Sequence, residues 1–174
     1  MTWFVMRDLT RANSLEPAHV RLSKEGFDVF TPMQWKLVRR HGRTERRLAP
    51  VIHDLLFVNT SRDQLDPAVR DITTLQYRYV KGGRQGEAMT VSDPEMERFI
   101  KAVTQGDNPR YYAPGEILPE MVGRPIRIMD GTLKGMTGHL LKIRGARKRR
   151  VLVEIPGMLC SSVEVSKDFI EFTD

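Results

Sequence analysis

Residues 126–145 read IRIMDGTLKGMTGHLLKIRG. Four glycines, Gly131, Gly135, Gly138 and Gly145, interrupt a segment otherwise rich in strand-forming residues. Glycine loses more conformational freedom on folding than any other residue, so a geometric need must offset that cost. Asp130-Gly131 is a turn dipeptide that permits positive φ. Gly135 and Gly138 stand around the start of the next strand, where bulges and tight barrel corners exclude a Cβ. Leu133 between them is expected to fill a barrel interior. Short apolar runs at 126–128, 136–143, 151–155 and 163–165, with Phe169 and Ile170 closing, are separated by turn signals. Runs of this kind over about sixty residues suit a small closed β-barrel of five strands.

The preceding hundred residues alternate strand and helix signals. Trp3 to Arg7 is a short apolar run suited to a buried strand. Asn13 and Ser14 offer capping side chains, Leu15, Ala18, His19 and Leu22 share a helical face, and Gly26 marks its end. Phe27 to Phe30 is expected as strand, and Met33, Trp35 and Leu37 alternate with polar residues as in a half-buried strand. Gly42 is the expected turn of a hairpin within KLVRRHGRTERR, with VIHDLLFVNT, residues 51–60, as the return strand. Asp66-Pro67 suits a helix start, and Val69, Ile72 and Leu75 continue it at helical spacing. Tyr77, Tyr79 and Val80 suggest strand, and Lys81-Gly82-Gly83 a turn. Ser92 and Glu95 form a capping box with Pro94 in the first turn, ahead of a buried stripe of Met96, Phe99, Ile100 and Val103.

These signals predict an α+β chain in two domains: an antiparallel-sheet α/β sandwich over 1–105 and a small SH3-like barrel over 117–174. The stretch GDNPRYYAPGE has no periodicity and is expected as a linker over 106–116, open to proteolysis near Arg110.

The chain of 174 residues carries 28 Lys and Arg against 22 Asp and Glu, a net charge of +6. That balance favours a polyanionic partner. The one cysteine, Cys160, rules out an internal disulfide, fits a reducing compartment and leaves too few thiolates for a structural zinc site. The opening MTWFVMRDL lacks the pattern of a signal peptide, and no apolar run approaches the roughly 18 residues of a membrane span. A cytoplasmic monomer without cofactors is expected.

The glycine-punctuated stretch resembles the KOW motif through Ile126, Arg127, Ile128, Gly131, Lys134, Gly135 and Gly138. The first hundred residues, with WFVMR, FDVFTPM, a basic hairpin and a strand ending LLFV, resemble the NusG N-terminal domain. Together they resemble the NusG family of transcription elongation and antitermination factors over nearly the whole chain. Thr31 to Met33 and the VRRHGR hairpin are similar to specialised paralogues of the RfaH type and to regulators of capsule operons (UpxY-like). The resemblance implies binding to the clamp helices of the largest RNA polymerase subunit through an apolar patch at Val51, Ile52, Leu55 and Phe57. It implies suppression of pausing or termination, at operons such as polysaccharide loci. His53-Asp54 stands where the family carries Pro-Gly, which alters the turn ahead of that strand.

Lys36, Arg39, Arg40, Arg43, Arg46 and Arg47 form a basic cluster relieved only by Glu45, and are expected to meet phosphates of non-template DNA or nascent RNA. Lys142, Arg144, Arg147, Lys148, Arg149 and Arg150 form a second cluster, expected to project from a turn of the barrel. The resemblance implies that such barrels contact RNA or protein, ribosomal protein NusE or Rho among the latter, and both kinds of partner stay open for this cluster. A different class of reading is a ribosome-associated or RNA-binding KOW protein, with the apolar strand as core. No catalytic set emerges: His53-Asp54 lacks the spaced partners of a metal phosphohydrolase, and no phosphate-cradling glycine loop is present.

Overall fold

The computed structural model describes residues 1–11 and 16–174. Asn13, Ser14 and Leu15, expected to open the first helix, lie outside the described residues. The chain divides into two compact units, Met1–Asp93 and Pro94–Asp174.

In the first unit, β1 (Thr2–Asp8) is flanked by β5 (Leu55–Thr60) and β6 (Leu75–Tyr77), with β2 (Asp28–Phe30) outside β5 and the short β7 (Thr90–Val91) also on β1. All pairings are antiparallel. One face carries Phe4, Met6, Leu56 and Val58, which form a core with Ala18 and Leu22 of α1 (Ala18–Lys24) and Leu65 and Ala68 of α2 (Arg62–Asp71). The buried Asp8 carboxylate, at the end of β1, accepts backbone N–H bonds from Thr10 and from Ala18, each at 2.9 Å. It thereby satisfies a donor that the first turn of α1 would leave orphaned. Gly26 follows α1 at φ +90°, in the left-handed region where glycine carries no Cβ penalty.

Two expectations fail here for physical reasons. Helix α2 begins at Arg62, with Pro67 inside it rather than at its start. Burial of Leu65 and Ala68 outweighs the one backbone bond that Pro67 removes. The hairpin partner of β3 (Met33–Arg40) is β4 (Arg43–Pro50), so the return strand is RTERRLAP and not residues 51–60. Strand β5 belongs instead to the main sheet.

The second unit opens at Pro94, the second residue of α3 (Asp93–Gln105), whose Met96, Phe99, Ala102 and Val103 are buried. Its six-stranded antiparallel sheet runs in the order β13 (Ile170–Phe172), β9 (Val122–Ile128), β10 (Thr137–Leu141), β11 (Arg149–Ile155), β12 (Leu159–Val165) and β8 (Asp107–Tyr112). Ile126, Ile128, Leu133, Val151, Val153, Ile155, Leu159 and Val163 are buried in this unit. Strand β8 occupies most of the stretch expected as a linker. It pairs with β12 through Tyr112↔Cys160, Tyr111↔Ser161 and Arg110↔Ser162 before the register shifts. Asn108 at φ +45° and Pro109 lie at that irregularity, where an edge strand tolerates a missing N–H. Arg110 therefore sits within a ladder, and of the expected linker only 113–116 follows β8.

The four glycines of 126–145 fall into two groups. Gly131, Gly135 and Gly145 adopt φ of +84°, +86° and +78°. Gly138 is a close-approach glycine: a Cβ there would lie 2.7 Å from the Leu152 carbonyl oxygen and 2.8 Å from Val151 Cγ1. Gly138→Ala is expected to push β10 off β11 and cost about 1–3 kcal/mol in denaturant unfolding, the range for forcing a methyl into a packed site. An unchanged midpoint would show that the strands part without penalty.

Candidate interaction surfaces

The strand expected to carry the apolar patch is preceded by a tight turn. Val51 N–H donates to the Pro32 carbonyl at 2.8 Å, and Leu55 N–H to the Ile52 carbonyl at 3.3 Å. Val51 and Ile52 are half-buried on this turn, whereas Leu55 is 3% exposed and Phe57 is fully buried. The four residues thus do not form one accessible patch. The expectation that Leu55 and Phe57 belong to an apolar contact patch is not met by their exposure, because β5 is buried on both of its faces. Phe57 lies opposite Val5 and Phe30 in the flanking strands, with the Phe30 ring centroid 6.3 Å from its own.

The His53-Asp54 pair has a specific use. Asp54 Oδ2 accepts from Arg7 Nε at 3.1 Å, and Asp54 Oδ1 lies 3.4 Å from an Arg78 terminal nitrogen. The Asp54 carbonyl also accepts from Asp8 N–H at 3.1 Å. A carboxylate held between two guanidinium groups is a structural counter-ion, which accounts for it without metal chemistry. Arg7 and Arg78 also line a cleft of about 730 Å³ with Gln76, Tyr77 and Tyr79. Sequence reading missed these two arginines; the one signal was a charge at the end of the apolar run WFVMR.

The hairpin stands apart from the main sheet: among the described residues β3 and β4 pair only with each other. Its tip residues His41 and Gly42 both have positive φ, +49° and +76°, as a two-residue primed turn requires. Residues directly opposite share a face. Trp35↔Leu48, Leu37↔Arg46 and Arg39↔Thr44 therefore lie on one face, and Lys36↔Arg47, Val38↔Glu45 and Arg40↔Arg43 on the other. Arg39, Arg40, Arg43, Arg46 and Arg47 are exposed. Lys36 is not available in the same way, since its Nζ donates to the Pro50 carbonyl at 2.9 Å. Trp35 and Leu37, expected half-buried, are 58% and 77% exposed, because no second layer covers a free-standing ribbon.

In the second unit the residues of the KOW resemblance sit as a tight turn between paired strands demands. Ile126 and Ile128 point inward from β9, with the exposed Arg127 between them. Gly131, the exposed Lys134 and Gly135 form the turn, and Gly138 lies against β11. The second basic cluster divides. Lys142, Arg144, Arg147, Lys148 and Arg149 are exposed, but Arg150 is 3% exposed and does not project into solvent. Its guanidinium donates to Ser162 Oγ at 2.7 Å, the Ser162 carbonyl at 2.8 Å and Glu164 Oε1 at 3.1 Å. Burial pushes the Cys160 thiol up to about 11, so at neutral pH it is a protonated strand residue and a poor nucleophile.

Among the described residues no three His, Cys, Asp or Glu are grouped to hold a metal ion, and no helix is long and apolar enough to cross a membrane. A free basic ribbon on one unit and a glycine-cornered β domain in the other offer surfaces for binding. The family described as "Transcription termination factor nusG" matches residues 1–100. The chain belongs to the NusG family of transcription elongation and termination factors, which are not enzymes and whose partner is RNA polymerase. Its second unit holds an all-antiparallel β domain. A solved structure described as "Domain interaction in Thermotoga maritima NusG" is similar at 17% identity with a TM-score of 0.47, covering 99% of this chain and 97% of that one. No curated protein matches the chain.

Proposed function

We propose that this factor binds the clamp helices of the largest polymerase subunit through the surface around Val51 and Ile52 while its basic hairpin reaches nucleic-acid phosphates. The reading is carried by one observation: five exposed arginines project on a ribbon that, among the described residues, pairs with no other strand. Bound this way, the factor suppresses pausing or termination by favouring the elongating state over the paused one. A preference of about 3 kcal/mol for one state is enough to shift that population more than a hundredfold. The tip sequence and the Thr31–Met33 stretch support a specialised, RfaH-like or capsule-operon role in the cytoplasm. The KOW-like domain would then meet NusE or Rho, with the exposed cations of 142–149 as its charged surface.

Two measurements test the reading. Ile52→Asp is expected to remove polymerase binding while the protein stays folded, since the turn already tolerates partial exposure; full binding by that variant would sink the polymerase assignment. Replacing Arg39, Arg40 and Arg43 with Ala is expected to flatten the log–log salt dependence of nucleic-acid affinity by roughly two units, at about 0.7–0.9 per phosphate contact. An unaltered slope would mean that these charges are solvated and touch no phosphate.

A further inference from the structure

The hairpin face that carries no expected function is its apolar one. Trp35, Leu37 and Leu48 are 58%, 77% and 49% exposed, and they cluster because Trp35 lies opposite Leu48 with Leu37 next along the same face. Exposing an indole and two leucines together is unfavourable in water unless a partner covers them. Cations frame the cluster. Arg46 holds its guanidinium over the Trp35 ring, 5.1 Å from the centroid, and Arg39 follows Leu37 on the same face.

We infer that this face is a stacking platform for single-stranded DNA, with an unpaired base laid on the Trp35–Arg46 pair and its flanking phosphates held by Arg39 and the tip arginines. The inference rests on the nucleic-acid reading of the hairpin and adds to it that bases, and not only phosphates, are engaged. An indole and a guanidinium both present flat faces to a base, and every base has a π-face, so binding tolerates sequence. Charge complementarity selects a polyanion over an apolar protein segment, because the arginines that frame the indole would be desolvated by the latter without a counter-charge. The same face carries no carboxylate or amide beside the indole to accept a proton from a ribose 2′-hydroxyl, which favours DNA over RNA. A base inside a duplex is already stacked on both sides and gains nothing from the platform.

The test uses the full chain with a short single-stranded DNA, an RNA of the same sequence and the corresponding DNA duplex, read by tryptophan emission and by anisotropy of labelled strand. Trp3 is buried, so quenching on binding reports Trp35. Trp35→Ala is expected to weaken single-stranded DNA binding about 5- to 150-fold, the range for losing one stacked base, with the salt slope unchanged and duplex binding unmoved. Trp35→Phe should recover most of the affinity. If Trp35→Ala binds single strands normally while the triple arginine variant still flattens the salt slope, the phosphate contact stands, the stacking inference fails and the face belongs to a protein partner. Should neither substitution matter, the hairpin does not bind nucleic acid at all. Equal losses on duplex and single strand, or RNA bound as tightly as DNA with the same Trp35 dependence, would also overturn it.

Discussion

Phe57→Asp is expected to leave the amino-terminal unit unfolded at room temperature. Phe57 is fully buried at the centre of the sheet, with Val5 directly across on one side and Phe30 on the other. No cation lies directly opposite it, and Arg7, two residues along from Val5, is already paired with Asp54, so a carboxylate there must either ionise without a partner or take up a proton. Removing the ring alone costs about 3–5 kcal/mol, and a buried unpaired polar group adds several more. A domain of this size has only about 5–15 kcal/mol of stability to lose. Leu55→Asp should be milder although Leu55 is buried too, since Arg7 is its cross-strand partner and can supply a counter-charge. Ile52→Asp, on the half-buried turn, should be mildest. Far-ultraviolet circular dichroism of the three variants separates a folding strand from a contact surface. A folded Phe57→Asp protein that merely failed to bind polymerase would show that Phe57 is a contact residue and not core.

That ordering also marks where sequence reading stopped. The apolar runs at 3–7, 55–58, 126–128 and 151–155 declare themselves, because burial demands a particular residue type at each step of a strand. Gly131 and Gly135 declare a corner because their backbone conformation excludes other residues at low cost. Strand β4 was hidden: RTERRLAP has the composition of a solvated loop and is a strand only because the Gly42 turn returns it along β3. Strand β8 was hidden by Asn108 and Pro109, which signal irregular chain unless the opposite strand is known to shift register. Residue type could not tell whether the second face of β5 is covered, since leucine and phenylalanine serve equally in a core and in an interface. The cationic clusters were visible, but not which members are spent internally, as Lys36 and Arg150 are.

Arg150→Met should release β8 from the sheet while the rest of the carboxy-terminal unit stays folded. Arg150 is cross-strand from Glu164 on β12, and Glu164 also accepts from Asn108 Nδ2 at 2.9 Å and pairs with Lys148 Nζ at 3.1 Å. Arg150 itself donates to the Asn108 carbonyl, and Ser162 Oγ lies 3.1 Å from the Tyr112 hydroxyl. One guanidinium thus ties β11, β12 and β8 together from a position almost without solvent. Burial, followed by repulsion from Arg110, presses its pKa below the ordinary value, yet arginine stays protonated throughout the working pH range. Methionine fills the stem but leaves the Asn108 and Ser162 carbonyls and the partly exposed Glu164 without their donor, and hydrogen bonds to a charged group are worth about 1.5–3 kcal/mol. Strand β8 has six residues and stands at the edge of the sheet, paired with β12. Acid should act at the same joint. The Asn108 hydrogen bond first, then Lys148, hold the Glu164 carboxyl below its ordinary range. Its contribution is therefore present above the ordinary carboxyl range and lost as pH falls through the depressed value. Hydrogen exchange of residues 107–112 reads both effects, with fast exchange expected in Arg150→Met at neutral pH and in the unaltered chain only in strong acid. If those amides remain protected in Arg150→Met, the backbone ladder to β12 alone suffices, and the buried arginine does not hold the strand.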